Sequence, residues 1–306
     1  MSSIIVNNVS KSYNNVIAIE NISFEVGKGE LFGFIGPDGA GKTTLFRILT
    51  TLLLQDKGTV TIEGLDVIKE YKKLRKILGY MPGKFSLYQD LTVEENLKFF
   101  ATIFGTTIEQ NYYLIKDIYK QLEPFKKRLA GKLSGGMKQK LALSCAMIHK
   151  PEVLILDEPT TGVDAVSRKE FWEMLKNLKS QGITIVVSTP YMDEATVCER
   201  VALIQAGKIM NINTPEKIVA GFQKSLFAIK TDDIYKSILD LRENFISGSV
   251  YPFGQYIHLS DDSGSISEDK INNILMFNNH KNIEVKRIKP NIEDCFLDLM
   301  KTKSDL

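Results

Sequence analysis

Cysteine is scarce: the 306-residue chain has three, Cys145, Cys198 and Cys295. They are too few and too widely spaced for a disulfide framework or a thiolate zinc site, and they suit a reducing cytosol. No stretch approaches the ~20 apolar residues that span a bilayer. The start, MSSIIVNNVSKSY, lacks the basic residues and continuous apolar core of a signal peptide. Direct membrane insertion is therefore not expected, and any role at a membrane must run through a partner. A charge excess is missing as well. The 39 basic and 37 acidic residues leave a net +2, which provides no strong field for nucleic acid or anionic lipid. Short basic groups at 72–76 and 126–128 read as solvated helical faces.

What is present is ordinary for a folded chain, with 43% apolar and 25% charged residues, and its length suits one large and one smaller domain. LFGFIG (31–36), VLILD (153–157) and ITIVVS (183–188) are short β-rich runs bounded by Gly, Asp or Ser. Such runs fit strands buried on both faces of a largely parallel sheet, so residues 1–222 read as an α/β domain with a mixed sheet core. Between about 88 and 150 the apolar spacing turns helical, with Thr92 and Glu95 forming a capping box. That segment reads as a helical subdomain. Residues 223–306 read as a small α+β domain: strand 226–230, helix 232–243, two strands around YPFGQYIHLS, helix 268–276, strand 283–288 and a helix from about 291. The polar stretch SDDSGSISEDK reads as a loop.

GPDGAGKTT comprises Gly36, Pro37, Asp38, Gly39, Ala40, Gly41, Lys42, Thr43 and Thr44, and it follows one strand and opens a helix. Glycine, four residues, then Gly-Lys-Thr makes a loop whose amides cradle phosphates at a helix N-terminus. Lys42 would reach the β and γ phosphates of ATP, and the Thr43 hydroxyl would ligate Mg²⁺. VLILDEP adds Asp157, which would hold the Mg²⁺ through water, and Glu158, placed to polarise the attacking water. In LSGGMKQK, Ser134, Gly135 and Gly136 open a second helix with bare amides.

With these motifs the chain resembles an ABC ATPase, a P-loop NTPase fold, over roughly residues 3–220. The resemblance implies a head-to-tail dimer in which Ser134, Gly135 and Gly136 of one subunit meet the other subunit's ATP. It implies Tyr13 stacked on adenine and Asp164, in TTGVDAVSR, at the dimer contact. KFSLYQDLTVEENL, YMDEA and KPNIEDCFLDLM look like ATP-binding subunits of ABC-2 type exporters, including multidrug efflux ATPases. That implies a separate membrane permease as partner and a peripheral place on the cytoplasmic face. Its docking surface would be the loop after Gly83, with Phe85, Leu87 and Tyr88 exposing apolar area. The C-terminal domain resembles a regulatory appendage, or else serves as a stabilising or dimerising module.

Two positions depart from the family pattern. After GYMP, glutamine is usual and this chain has Gly83. Where the family has a histidine touching the γ-phosphate, it has Pro190. His149, His258 and His280 cannot substitute by sequence position. Groups that bind Mg-ATP remain, while two that position the transition state are gone. The expectation is slow chemistry at this subunit's own site, in an unequal heterodimer or a tolerant homodimer. A nucleotide-gated regulatory subunit with little ATPase activity, paired with an active ABC ATPase, is the alternative.

Overall fold

The computed structural model describes residues 1–246, 248–261, 264 and 266–304. The chain divides into two compact units, Met1–Pro215 and Glu216–Leu306. Unit 1 begins with β1 (Ser2–Tyr13), β2 (Val16–Gly27) and β3 (Leu31–Ile35), followed by α1 (Lys42–Leu49), β4 (Lys57–Ile62), β5 (Leu65–Asp66), α2 (Tyr71–Ile77) and β6 (Leu78–Met81). Three helices follow, α3 (Val93–Ile103), α4 (Ile108–Tyr119) and α5 (Gly135–Met147). Then come β7 (Val153–Asp157), α6 (Ala165–Ser180), β8 (Thr184–Thr189), β9 (Arg200–Gln205) and β10 (Lys208–Asn213), with α7 (Pro215–Ala220) across the division.

Every residue of β3, β7 and β8 is buried, which is why these runs are apolar without alternation. They lie in a sheet of order β10-β9-β3-β8-β7-β6, parallel except for the β9–β10 pair. Because β8 separates β3 from β7, three neighbouring strands deliver the Gly36, Asp157 and Pro190 loops to the same carboxyl edge, where open α/β sheets bind ligands.

The α/β domain opens without a helix at its N-terminus. There β1 and β2 form an antiparallel hairpin within a second sheet, β2-β1-β4-β5. Asn14 takes φ 52° in its two-residue turn, the left-handed geometry that tight hairpins need and Asn tolerates. The capping box forms as expected: Glu95 N–H donates to Thr92 Oγ1 at 3.2 Å and Thr92 N–H to Glu95 Oε2 at 2.8 Å. The basic group at 126–128 is exposed but lies in a turn instead of a helical face, with Arg128 4.6 Å from the Phe125 ring centre.

Unit 2 contains β11 (Ser225–Lys230), α8 (Ile234–Asn244), β12 (Ser249–Phe253), β13 (Tyr256–Asp261), α9 (Glu268–Phe277), β14 (Glu284–Ile288) and α10 (Ile292–Ser304). Its antiparallel order β12-β13-β11-β14 is a split β-α-β arrangement. Phe227, Ile229, Leu241, Ile257, Leu259, Ile271 and Leu275 form its core. Of the expected polar loop, residues 262, 263 and 265 lie outside the described residues.

Candidate functional site

Gly41 caps α1 at φ 100°, a conformation that favours glycine, and no side chain bonds to the helix N-terminus. Uncapped amides and the helix dipole make that end a place for an anion. The cavity there has a volume of about 410 Å³, between residues 16–18 of β2 on one side and residues 38–44 on the other, with Glu158 also in its wall. Lys42, 3% exposed, donates from Nζ to Gly36 O at 2.8 Å and Pro37 O at 3.0 Å and lies 3.1 Å from Glu158 Oε1.

Glu158 occupies φ 49°, a region other residues seldom enter. Its N–H is held by Ser188 O at 3.1 Å and Ser188 Oγ at 3.0 Å. The same Ser188 hydroxyl donates to Asp157 Oδ1 at 2.6 Å, and Asp157 is 2% exposed. The Thr43 hydroxyl and the Asp157 carboxylate offer oxygen donors, the ligand chemistry that a hard cation such as Mg²⁺ takes. Tyr13 is 42% exposed, beside the hairpin turn and opposite Val16, and does not line the cavity. Val16, Ile17, Ala18 and Ser188 were not singled out from the sequence. The hairpin signal around Asn14 could have brought the first three forward.

Ser134, Gly135, Gly136 and Asp164 lie outside this cavity and form a second cluster. Ser134 caps α5 by accepting from Met137 N–H at 3.4 Å, and Asp164 caps α6 by accepting from Val166 and Ser167 N–H at 3.1 and 2.9 Å. Backbone and side-chain bonds from Ser167 lead the interactions that lower the Asp164 pKa. A Cβ on Gly136 would stand 2.7 Å from Ser167 Oγ, so the two helices meet where only glycine fits.

Gly83 lies against Asp157: a Cβ there would be 3.2 Å from Asp157 O and 3.8 Å from Asp157 Oδ2. Pro190 follows β8 directly. His149 is stacked on Phe104 at 3.8 Å with Nε2 3.0 Å from Leu78 O, and burial lowers its pKa against the raising effect of that carbonyl. His258 and His280 belong to unit 2.

The expected apolar surface after Gly83 needs correction. Leu87 is buried, Phe85 is half-buried with Lys138 Nζ 5.5 Å from its ring centre, and Tyr88 alone of the three is exposed, edge-on to Phe99 at 4.8 Å. The apolar feature is instead a cavity of about 740 Å³ lined by Leu52, Met81, Leu87, Phe100, Phe104 and Cys145 among others. These residues come from segments far apart in the chain, so no local pattern could have revealed it.

The ABC transporter family model matches residues 19–161. The probable multidrug ABC transporter ATP-binding protein YbhF of Escherichia coli (strain K12) is 45% identical over 204 residues, 66% of this chain and 35% of that protein. This chain thus spans about a third of the length of that relative. The Nod factor export ATP-binding protein I of Sinorhizobium fredii (strain NBRC 101917 / NGR234) is 33% identical over 296 residues, 95% of this chain and 84% of that one. A solved dimeric ATP-binding cassette, MJ0796 bound to ADP and Pi, superposes with TM-score 0.63 at 25% identity, covering 69% of this chain and 98% of that chain. The fold, the loop order along the sheet edge and these relatives agree: the chain belongs to the ABC transporter ATP-binding family.

Proposed function

We propose that this chain is the ATP-binding subunit of an ABC-2 type exporter, binding Mg-ATP at the Gly36–Thr44 loop and passing dimer closure to a separate permease. The observation that carries this is the uncapped α1 N-terminus facing a cavity with Lys42 and Glu158 in its wall. Lys42 would exchange the Gly36 and Pro37 carbonyls for phosphate oxygens. That exchange weakens its hold on Glu158 and frees the carboxylate to polarise water. Thr43 and Asp157 would hold Mg²⁺, which when bound neutralises charge on the phosphates. Tyr13 would stack on adenine at the cavity's rim. Ser134, Gly135, Gly136 and Asp164 would face a second cassette, as part of a head-to-tail dimer.

The apolar cavity beside the Gly83 loop would receive the permease on the cytoplasmic face. Among the described residues no helix is long and apolar enough to cross a membrane. The relatives' names, multidrug transport and Nod factor export, support the export reading.

Gly83 and Pro190 favour a second reading, a subunit that binds ATP and turns it over slowly beside an unequal partner. One set of measurements tests both. Lys42→Ala removes ATP binding in calorimetry, and Glu158→Gln keeps binding while abolishing phosphate release. Persistent binding in Lys42→Ala overturns the assignment, and phosphate release too slow to support transport selects the second reading.

A further inference from the structure

Behind Pro190 lies a buried carboxylate. Glu194, in the short 3-10 helix Met192–Val197, is 3% exposed. Its Oε2 accepts from the Thr160 hydroxyl at 3.1 Å and from the Thr189 hydroxyl. Thr160 stands two residues beyond Glu158 in the loop after β7, and Thr189 ends β8 just before Pro190. One carboxylate therefore ties the segment bearing Glu158 to the segment bearing Pro190. Thr189 is fixed twice more: its carbonyl accepts from Gly36 N–H at 3.3 Å and its hydroxyl from Tyr191 N–H at 3.1 Å.

The other oxygen, Oε1, stands 3.7 Å from Arg168 Nε, too far for a hydrogen bond. Neither atom has a hydrogen-bond partner among the described residues. The Arg168 guanidinium lies 4.1 Å over the Tyr191 ring, while its backbone N–H donates to Asp164 O at 2.9 Å in the first turn of α6. Burying a carboxylate is costly, and a network left partly unsatisfied is worse for stability than an apolar filling. Packing alone does not account for Glu194. What it does is join two loops, those of Glu158 and Pro190, at one point, with the Arg168 guanidinium of α6 facing its other oxygen.

We propose that Glu194 is a positioning residue of the ATPase site. Through the two threonine hydroxyls it sets the spacing between the Glu158 loop and the Pro190 loop. The inference rests on the ATPase reading above. It also explains how the chain keeps the loop after β8 in place: proline at 190 has neither an N–H nor a polar side chain to anchor itself, so its neighbours on either side do the anchoring.

The test uses the full chain, with single-turnover Mg-ATP hydrolysis, ATP affinity by calorimetry, and amide hydrogen exchange of residues 157–161 and 188–194. Glu194→Ala slows hydrolysis about tenfold or more, the scale of a lost positioning contact, while ATP affinity changes less than about twofold. Glu194→Gln, whose amide oxygen still accepts both hydroxyls, recovers most of the rate. Thr160→Val with Thr189→Val slows hydrolysis as Glu194→Ala does and adds nothing to it, and exchange quickens in both segments.

An unchanged rate in Glu194→Ala overturns the proposal. So does equal loss of rate and affinity in the Ala and Gln variants, which would mark a merely structural residue. If the unmodified chain neither binds nor hydrolyses ATP, the ATPase reading falls. Exchange then decides the joint by itself, and unaltered exchange in Glu194→Ala overturns it.

Discussion

At the scale of single residues, the two positions expected from the sequence to depart from the family pattern, Gly83 and Pro190, can be judged by the space around them. Gly83 is exposed and its backbone φ is not positive, so a larger residue is compatible with the chain there. The 3.2 Å approach to Asp157 O requires a shift of a few tenths of an ångström. A glutamine at 83 would begin beside the Asp157 carboxylate. Pro190 is harder to replace, because its ring fixes φ near about −65° and Thr189 before it is held at both carbonyl and hydroxyl. Glutamine and histidine would act on the same water and phosphate, so their effects are expected to be non-additive. Gly83→Gln with Pro190→His should raise phosphate release well beyond either single change, and Glu158→Gln in that background should remove the gain. Brisk, Glu158-dependent hydrolysis by the unmodified protein would sink the slow-site reading.

At the scale of elements, the contact between α5 and α6 makes a sharper demand than helix propensity does. Alanine in place of a helical glycine is usually favourable by up to ~1 kcal/mol. At Gly136 the added carbon would meet Ser167 Oγ at 2.7 Å and Ser167 Cβ at 2.8 Å, so Gly136→Ala should lower the melting temperature by about 2–4 °C per kcal/mol lost. Adding Ser167→Gly removes both contacting atoms and should restore part of the loss. Failure of that rescue, by calorimetry, would show that the contact is not limiting. The glycine itself was legible in LSGG, but its reason was not, because Ser167 is distant in sequence. Legibility follows the same division elsewhere. Buried strands such as VLILD and capped helices such as that begun by Thr92 are written locally, and so is the phosphate loop. The β1–β2 hairpin hid because its alternation is broken by register shifts, and the wide apolar cavity hid because its walls meet only after folding.

At the scale of the whole molecule, each unit has a core of its own, and in unit 2 an acid of the last helix reaches the sheet. Asp294, in α10, accepts from Tyr251 of β12 at 2.8 Å and pairs with His258 of β13 at 2.7 Å. Burial alone would raise its pKa, but the bonds from His258, Asn291 and Tyr251 outweigh burial and lower it. A carboxyl depressed by folding contributes stability that is complete above its unfolded pKa, about 3.9, and disappears as pH falls through the lower folded value. Unit 2 should therefore lose stability on acidification below about pH 4, and Asp294→Asn should destabilise it at neutral pH while flattening that acid dependence. The chain's one tryptophan, Trp172, is buried in α6 of unit 1, so its emission reports on that unit, whereas amide exchange in residues 249–261 and 292–301 reports on the Asp294 contacts. Asp294→Asn is expected to quicken exchange in those two segments at pH 7 and to leave the acid titration of Trp172 emission in place. An Asp294→Asn protein with unaltered exchange there, and the same slope of stability against pH as the parent, would mean that the His258 and Tyr251 bonds contribute nothing to holding α10 on the sheet.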